Sequence, residues 1–303
     1  MAQPQPAVFA EGTQFHWFLH YRLVEGADPD AVRAAIRSVK AAADEGPPTE
    51  AVNLVTAFGD DLLRRLAPDL VPDGHRPFTT VGAAPGPVAV ATQEDLFFWA
   101  HGNRHDRNYD VAVAAHHALA GLATLARETQ GWVYHDSRDL TGFIDGTENP
   151  AAEEARELAV VSDGPGEGGS FVLTQRYIHD LDAFHALPVE EQEAAVGRTK
   201  PDSEELDPMP ATAHVGRVVM EDEHGEEIEI YRRSVPYGVP DEAGLYFLAF
   251  TDDLDKIAAM LDRMYGVSGD GLHDRLMDFT RTVSGSYYFA PSVDALHTIL
   301  GDA

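Results

Sequence analysis

Three groups of residues in this chain carry side chains suited to chemistry. In the first, Gly142-Phe143-Ile144-Asp145-Gly146-Thr147-Glu148-Asn149-Pro150, one carboxylate sits in a glycine-flanked turn directly after an apolar pair. Such a turn can aim a carboxylate into a pocket, where it carries a proton. Taken alone, the same Asp-Gly and Asn-Pro pairs are ordinary surface turn formers. The second group is Ala213-His214-Val215-Gly216-Arg217, whose imidazole is a metal ligand or a proton carrier. The third is Tyr231-Arg232-Arg233-Ser234-Val235-Pro236-Tyr237-Gly238. Strand alternation there sends Arg232 and Arg233 to opposite faces, so one can enter a pocket while Arg233 reads as a surface residue. Ser234 shares a face with Arg232 if the strand continues. A different metal site is suggested by His101 and His105, with Asp106 and His116-His117 beyond. Because His101 ends a strand and His105 precedes a helix, that spacing does not put both on one helical face.

The elements that position these groups read as two similar halves. Residues 14–23 form an aromatic-rich strand, and Asp28-Pro29 opens a helix whose Val32, Ala35, Ile36 and Val39 make one apolar stripe. A strand over Val52 to Phe58, a short helix through Leu62, Leu63 and Leu66, and a strand from Leu96 to Ala100 follow. The next helix is capped near Asp106, with Val111, Ala115, Ala118, Leu119 and Leu122 on one face. In the second half, Phe171 to Ile178 predicts a strand and helical material runs to about Ala195. Strands over His214 to Met220 and Glu227 to Tyr231 flank a His224-Gly225 turn. A strand over Leu245 to Phe250 then leads into a helix with a stripe of Leu254, Ile257, Ala258, Leu261 and Tyr265. The strand, acidic cap and amphipathic helix recur in both halves, which suggests duplication. Each half has an order near β-α-β-β-α-β. The expected class is therefore α+β, with duplicated ferredoxin-like (split βαβ) domains over residues 1–130 and 131–303, antiparallel sheets and helices packed outside. The loop-rich stretch from His135 to Ser170, of a length usually functional, holds Asp145.

Composition narrows the possibilities. The 303 residues can bury a real core, and a formal charge of -29 argues against a nucleic-acid backbone as partner. The absence of cysteine removes disulfides and thiolate ligands. Met1-Ala2-Gln3-Pro4-Gln5-Pro6 shows neither a basic start nor an apolar run, which leaves the cytoplasm as the expected location. No stretch approaches the roughly 18 apolar residues of a membrane span.

Together, the Asp145 turn, the His214-Val215-Gly216-Arg217 stretch and the Arg232 segment resemble the dye-decolorizing peroxidases, in their compact bacterial B-type branch. The resemblance is dense from about Leu140 to Pro291 and mainly one of layout before that. It implies one haem b per chain, held mainly in the second half, with His214 as the axial ligand to iron. It implies that Asp145 is the distal acid-base residue, kept ionised by a nearby Arg232, and that Arg232 stabilises the leaving oxygen and reaches a propionate. Ser234, where many members carry asparagine, would hold a distal water. Gly146, Thr147, Glu148 and Asn149 would complete the turn and meet the haem edge through backbone groups, and Arg198 would pair with a propionate. A ligating histidine usually gives its other ring N–H to an acceptor; Asp278, in a stretch with Leu276, Met277 and Phe279, is the candidate, with a surface aspartate as the alternative.

The implied activity is reduction of hydrogen peroxide to water, with one-electron oxidation of dyes, phenols or metal ions. Implied partners are peroxide and small-molecule reductants, a homo-oligomer, and no nucleic acid or membrane. Docking inside a protein shell is not expected, because no extension follows Gly301-Asp302-Ala303. Trp17, Trp99, Trp132, Tyr231, Tyr237, Tyr287 and Tyr288 could relay electrons, with core packing the simpler role. A haem-binding protein for storage, delivery or iron release is the alternative reading; it would need neither Asp145 nor Arg232. A chlorite-dismutase-type protein would not be expected to carry the Asp145 turn.

Overall fold

The computed structural model describes residues 2–47, 50–146, 149–150, 152–221, 224–225 and 227–301. The first half contains β1 (Phe15–Leu23), α1 (Pro29–Asp44), β2 (Asn53–Phe58), α2 (Asp60–Leu66), the small hairpin β3 (Val81–Gly82) and β4 (Val88–Ala89), β5 (Leu96–Gly102), α3 (His105–Ala118) and β6 (Ala123–Trp132). After α4 (Ala152–Ala159), the second half contains β7 (Ser170–His179), α5 (Leu181–His185), α6 (Val189–Val196), α7 (His214–Val218), β8 (Tyr231–Arg232), β9 (Val235–Val239), β10 (Glu242–Thr251), α8 (Leu254–Met264), β11 (Thr280–Ala290) and α9 (Val293–Leu300).

Local signals explain most of these boundaries. Asp28 caps α1 by accepting from the Asp30 N–H, Pro29 stands at its first turn, and Val32, Ala35, Ile36 and Val39 are all buried. Asp253 caps α8 in the same way, through the Asp255 N–H. The predicted cap of α3 is different: the helix follows Arg104 without a side-chain cap, and Asp106 lies in its first turn as the partner of Arg104.

The main sheet runs β6-β1-β5-β2-β11-β7-β10-β8, with β9 also on β10 and every pairing antiparallel. Each half thus repeats the ferredoxin-like order, and β2 meets β11 at Phe58 and Phe289 to join them. The expected division near residue 130 falls inside β6, which continues to Trp132. The sheet curls until its two ends meet: a Cβ on Gly131 of β6 would lie 2.5 Å from the Val235 side chain of β9. Phe18 of β1 stacks on Tyr246 of β10 with ring centroids 3.6 Å apart. One core, with Phe18, Phe97, Trp99, Val172, Tyr246, Phe250 and Tyr288, fills the inside of this curl. The other, with Val32, Ile36, Val111, Leu173, Ile257, Leu261 and Ile299, lies between the sheet and the outer helices.

Three sequence expectations change here. His214 opens a short helix, α7, and not a strand. Val215, Val218 and Val219 favour strand locally, but the buried Arg217 overrides them. It pairs with Asp270 at 2.5 Å and donates to the carbonyls of Arg263 and Leu272, which ties α7 beside α8. The expected strand from Glu227 is reduced to a single bridge to Glu221, and β8 starts only at Tyr231. Arg233 is no surface residue: it donates to the carbonyls of Val8 and Ala10 and lies over the Trp99 ring at 5.1 Å.

Candidate active site

On the outer face of the second half, between β7, β10, α7, α8 and the loop before α4, lies a cavity. Its lining includes Asp145, Gly146, Arg198, His214 and Arg232, over an apolar wall of Leu173, Val215, Leu245, Phe247, Ile257, Met260 and Phe279. Four of the predicted groups converge on it from positions far apart in the chain.

Asp145 is held by its turn. Its N–H donates to the Ser137 carbonyl at 2.9 Å, and Gly142 and Gly146 on either side both have positive φ, at 91° and 78°. A side chain at Gly142 would meet Lys200 at 2.7 Å. Beneath the turn, Asp139 accepts from Thr141 and faces His179 Nε2 at 3.3 Å, while His179 Nδ1 meets the Thr280 hydroxyl at 2.7 Å. Burial pushes the Asp145 carboxyl up to about 6, and the negative charge of Asp139 adds to the shift. Arg232 and the Gly146 N–H pull in the other direction without cancelling it. Arg232 thus acts on this carboxyl in the expected direction, but the larger desolvation effect leaves it raised and not lowered.

Arg232 is set at the end of β8 by Asn149. The Asn149 amide donates to the Arg232 carbonyl at 2.6 Å and accepts from the Arg232 N–H at 2.9 Å. This clamp fixes the Asp145 loop to the strand, a side-chain role that the Asn-Pro turn signal does not reveal. The guanidinium Nε of Arg232 is buried and has no hydrogen-bond partner among the described residues.

His214 stands at the start of α7, and its Nδ1 meets Asp274 Oδ2 at 2.6 Å. Asp274 is fully buried, and its other oxygen accepts from the Leu276 N–H, capping a turn of 3-10 helix at Arg275–Asp278. Burial opposes charge on His214, yet Asp274 outweighs it and raises the imidazole above its usual range. With Nδ1 engaged, Nε2 is the nitrogen left for the cavity.

Asp278, expected to be this partner, instead accepts from His273 at 2.9 Å and keeps 42% of its side chain exposed. Asp274 replaces it because only that residue of the turn is buried beneath the imidazole. Arg198 lines the cavity with its guanidinium tied to Glu205 at 2.7 Å and to the Ser203 carbonyl. Ser234 is absent from the cavity lining. The strand is interrupted between β8 and β9, and the Ser234 hydroxyl accepts from the Leu248 N–H at 3.4 Å. Thr147 and Glu148 lie outside the described residues. At the other suggested metal site, His101 is engaged by Thr13 and the Ala7 carbonyl, and His105 by Gln130.

A family model described as Dyp-type peroxidase, C-terminal, matches residues 136–295, and one described as Dyp-type peroxidase, N-terminal, matches residues 5–133. The chain belongs to the Dyp-type peroxidase family. A dye-decolorizing peroxidase of Rhodococcus erythropolis is 33% identical over 97% of this chain and 88% of its own length. Among solved structures, a Dyp-type peroxidase of Shewanella oneidensis is 36% identical with a TM-score of 0.91, covering 98% of this chain and 99% of its own. The encapsulated DyP-type peroxidase of Mycobacterium smegmatis is 35% identical with a TM-score of 0.90, covering 98% of each chain. A Rhodococcus jostii DypB variant in complex with heme is 31% identical, also with a TM-score of 0.90 and 98% of each chain covered. In this Dyp-type peroxidase, His214, Asp145 and Arg232, to which the sequence pointed, line one cavity; Asn149 was expected in the turn but not as the clamp on Arg232, and Asp274, Asp139 and His179 were not singled out. Asp274 carried a usable signal, since an aspartate two residues before Leu276 can cap the turn it opens.

Proposed function

We propose that this chain is a haem-dependent peroxidase that reduces hydrogen peroxide to water, in which His214 would hold the haem iron, Asp145 would serve as the acid-base group and Arg232 as the cation beside it. Haem suits the residues present: a histidine with Nδ1 held by a buried carboxylate, an apolar wall for a flat macrocycle, and a buried Arg232 Nε without a hydrogen-bond partner among the described residues. When bound, the haem supplies the iron centre that takes up peroxide and holds its two oxidising equivalents. Asp274 keeps the His214 proton on Nδ1 and makes Nε2 the stronger donor. Asp145, in its ionised form, accepts the proton from one peroxide oxygen and returns it to the other, while Arg232 donates to the oxygen that departs. Arg198 and Arg232 are the cations on this wall suited to the haem carboxylates.

The observation that carries the reading is the convergence of His214, Asp145 and Arg232 on one cavity. A carrier of haem would need neither of the last two. We propose further that small-molecule reductants such as dyes, phenols or metal ions supply the electrons, and that the two ferredoxin-like repeats are the domains, meeting in the loop after β6. Among the described residues no helix is long and apolar enough to cross a membrane. The test is an optical spectrum after haem reconstitution. The protein should show a Soret band that changes with one equivalent of peroxide, and His214→Ala should lose the ligated form of that band. A protein that takes up no haem, or holds it without a response to peroxide, would overturn the proposal.

A further inference from the structure

A second cavity of about 1080 Å³ adjoins the first and shares His179, Met277, Phe279 and Thr280 with it as a common wall. It opens beneath the β3-β4 hairpin, beside the β9-β10 turn, and is as large as the upper end of ordinary small-molecule sites, about 300–1,000 Å³. Two tyrosines connect the cavities. Tyr265 lines the second, Tyr177 lines the first, and the Tyr265 hydroxyl donates to the Tyr177 hydroxyl at 3.4 Å. Tyr177 in turn donates to Gln175 at 2.7 Å, also on the wall of the first cavity, while Tyr265 is anchored on Thr282. Both side chains are buried, and burial pushes both hydroxyls up, so they stand as neutral phenols.

The charge around this second cavity is one-sided. Asp180, Asp182, Asp241, Glu242 and Asp278 line it, against Arg281 as the one Lys or Arg among the described lining residues. Some of these acids have other work: Asp180 caps α5, Glu242 pairs with Arg176 and Asp278 faces His273. Asp182 and Asp241 are exposed to an arriving ligand. Apolar surfaces of Pro87, Val88, Val90 and Val283 complete the lining. An apolar floor with an acidic mouth fits an aromatic ring that carries a positive charge.

We infer that this second cavity docks a cationic phenol as reductant, and that Tyr265 and Tyr177 form the wall across which its electron passes to the first cavity. The inference rests on the peroxidase reading above. The docked phenol loses one electron and its hydroxyl proton and leaves as a phenoxyl radical. The electron crosses Tyr265 and Tyr177 to the oxidising centre, and the proton passes to a carboxylate of the mouth or to water. Two phenols and one hydrogen peroxide give two phenoxyl radicals and two waters.

Tyramine, a phenol with an ammonium group, is the probe, and 3-(4-hydroxyphenyl)propionate is its anionic counterpart. Calorimetric titration into the haem-loaded protein without peroxide should give saturable tyramine binding, at least ten-fold tighter than for the anion. Val88→Trp, which fills the cavity, and the surface pair Asp182→Asn with Asp241→Asn should each weaken tyramine at least ten-fold. Under turnover, Tyr265→Phe should lower kcat for tyramine about ten-fold with less change in KM. Absence of saturable binding, binding undiminished in both the filled and the neutralised variants, or an unchanged kcat in Tyr265→Phe overturns the inference. The Soret response to peroxide in the same samples separates the two readings: a responsive protein that does not bind tyramine fails only this one.

Discussion

The two halves share a strand order but use their outer faces differently. In the first half, the connection from β1 to β2 is built around one long helix, α1, whose Val32, Ile36 and Val39 are buried in one core with Trp17, Leu19 and Phe98 of the sheet. In the second, the equivalent connection from β7 to β8 spans residues 180–230 and breaks into the short helices α5, α6 and α7 with long loops between them. Helix ends and loops consequently share the wall over β7 and β10 with α8, and His214 and Arg198 reach the cavity from them. A duplicated scaffold thus keeps one copy as packed core and opens the other, since a ferredoxin-like sheet needs only one continuous apolar layer per face to hold together.

This contrast can be broken or sharpened by substitution. The largest expected effect is at the open face: Asp145→Ala should slow the reaction with peroxide on the order of 10²–10⁴-fold, as loss of a general base does, measured by stopped-flow absorbance. Ser234→Ala should change that rate little, because its hydroxyl serves the Leu248 N–H. On the closed face, Ile36→Ala should cost about 2–5 kcal/mol in denaturant unfolding while leaving haem uptake intact. An equal loss of haem from Ile36→Ala would mean that the halves are not separable in this way.

Smaller effects concern the positioning of His214. Asp274→Ala should weaken haem affinity roughly 10–100-fold in a titration, while Asp278→Ala should leave it near wild type. The reverse ranking would restore the partner expected from sequence. Smallest is the pH response. A carboxyl raised to about 6 is protonated below that pH and cannot accept a proton there, so the peroxide rate should fall by about ten-fold per unit below pH 6 and level off above it. Arg232→Leu removes the main opposing charge and should move the midpoint upward. The sign for stability is opposite to that of an ion-paired aspartate. Because the folded state holds this proton more tightly than the unfolded one, the Asp145 contribution becomes less favourable as pH rises from about 4 to 6.

Much of the scaffold was legible because its signals are local. The opening of α1 at Asp28-Pro29, the α1 and α8 stripes and the aromatic runs of β1, β5 and β7 each depend on residues within a turn or two of each other. The reactive side chains were legible for another reason: an acid between glycines, a histidine before Gly216 and an arginine in a doublet carry a recognisable order along the chain. Reading failed where two neighbours offered the same chemistry. Asp274 and Asp278 stand in one short turn, and Arg232 and Arg233 are adjacent, with a different fate for each.

The sequence alone determined the repeated α+β layout and the family, and it pointed to His214, Asp145 and Arg232, which line one cavity. The tertiary structure decided which carboxylate holds the imidazole, that His214 begins a helix, that the Ser234 hydroxyl meets the Leu248 N–H and that Asn149 clamps Arg232. These outcomes depend on burial and on contacts between distant segments. Asp274 is fully buried and Asp278 is not, a difference set by how the turn after α8 packs against α7. A linear chain records the side chains available, whereas desolvation and long-range contact select among them.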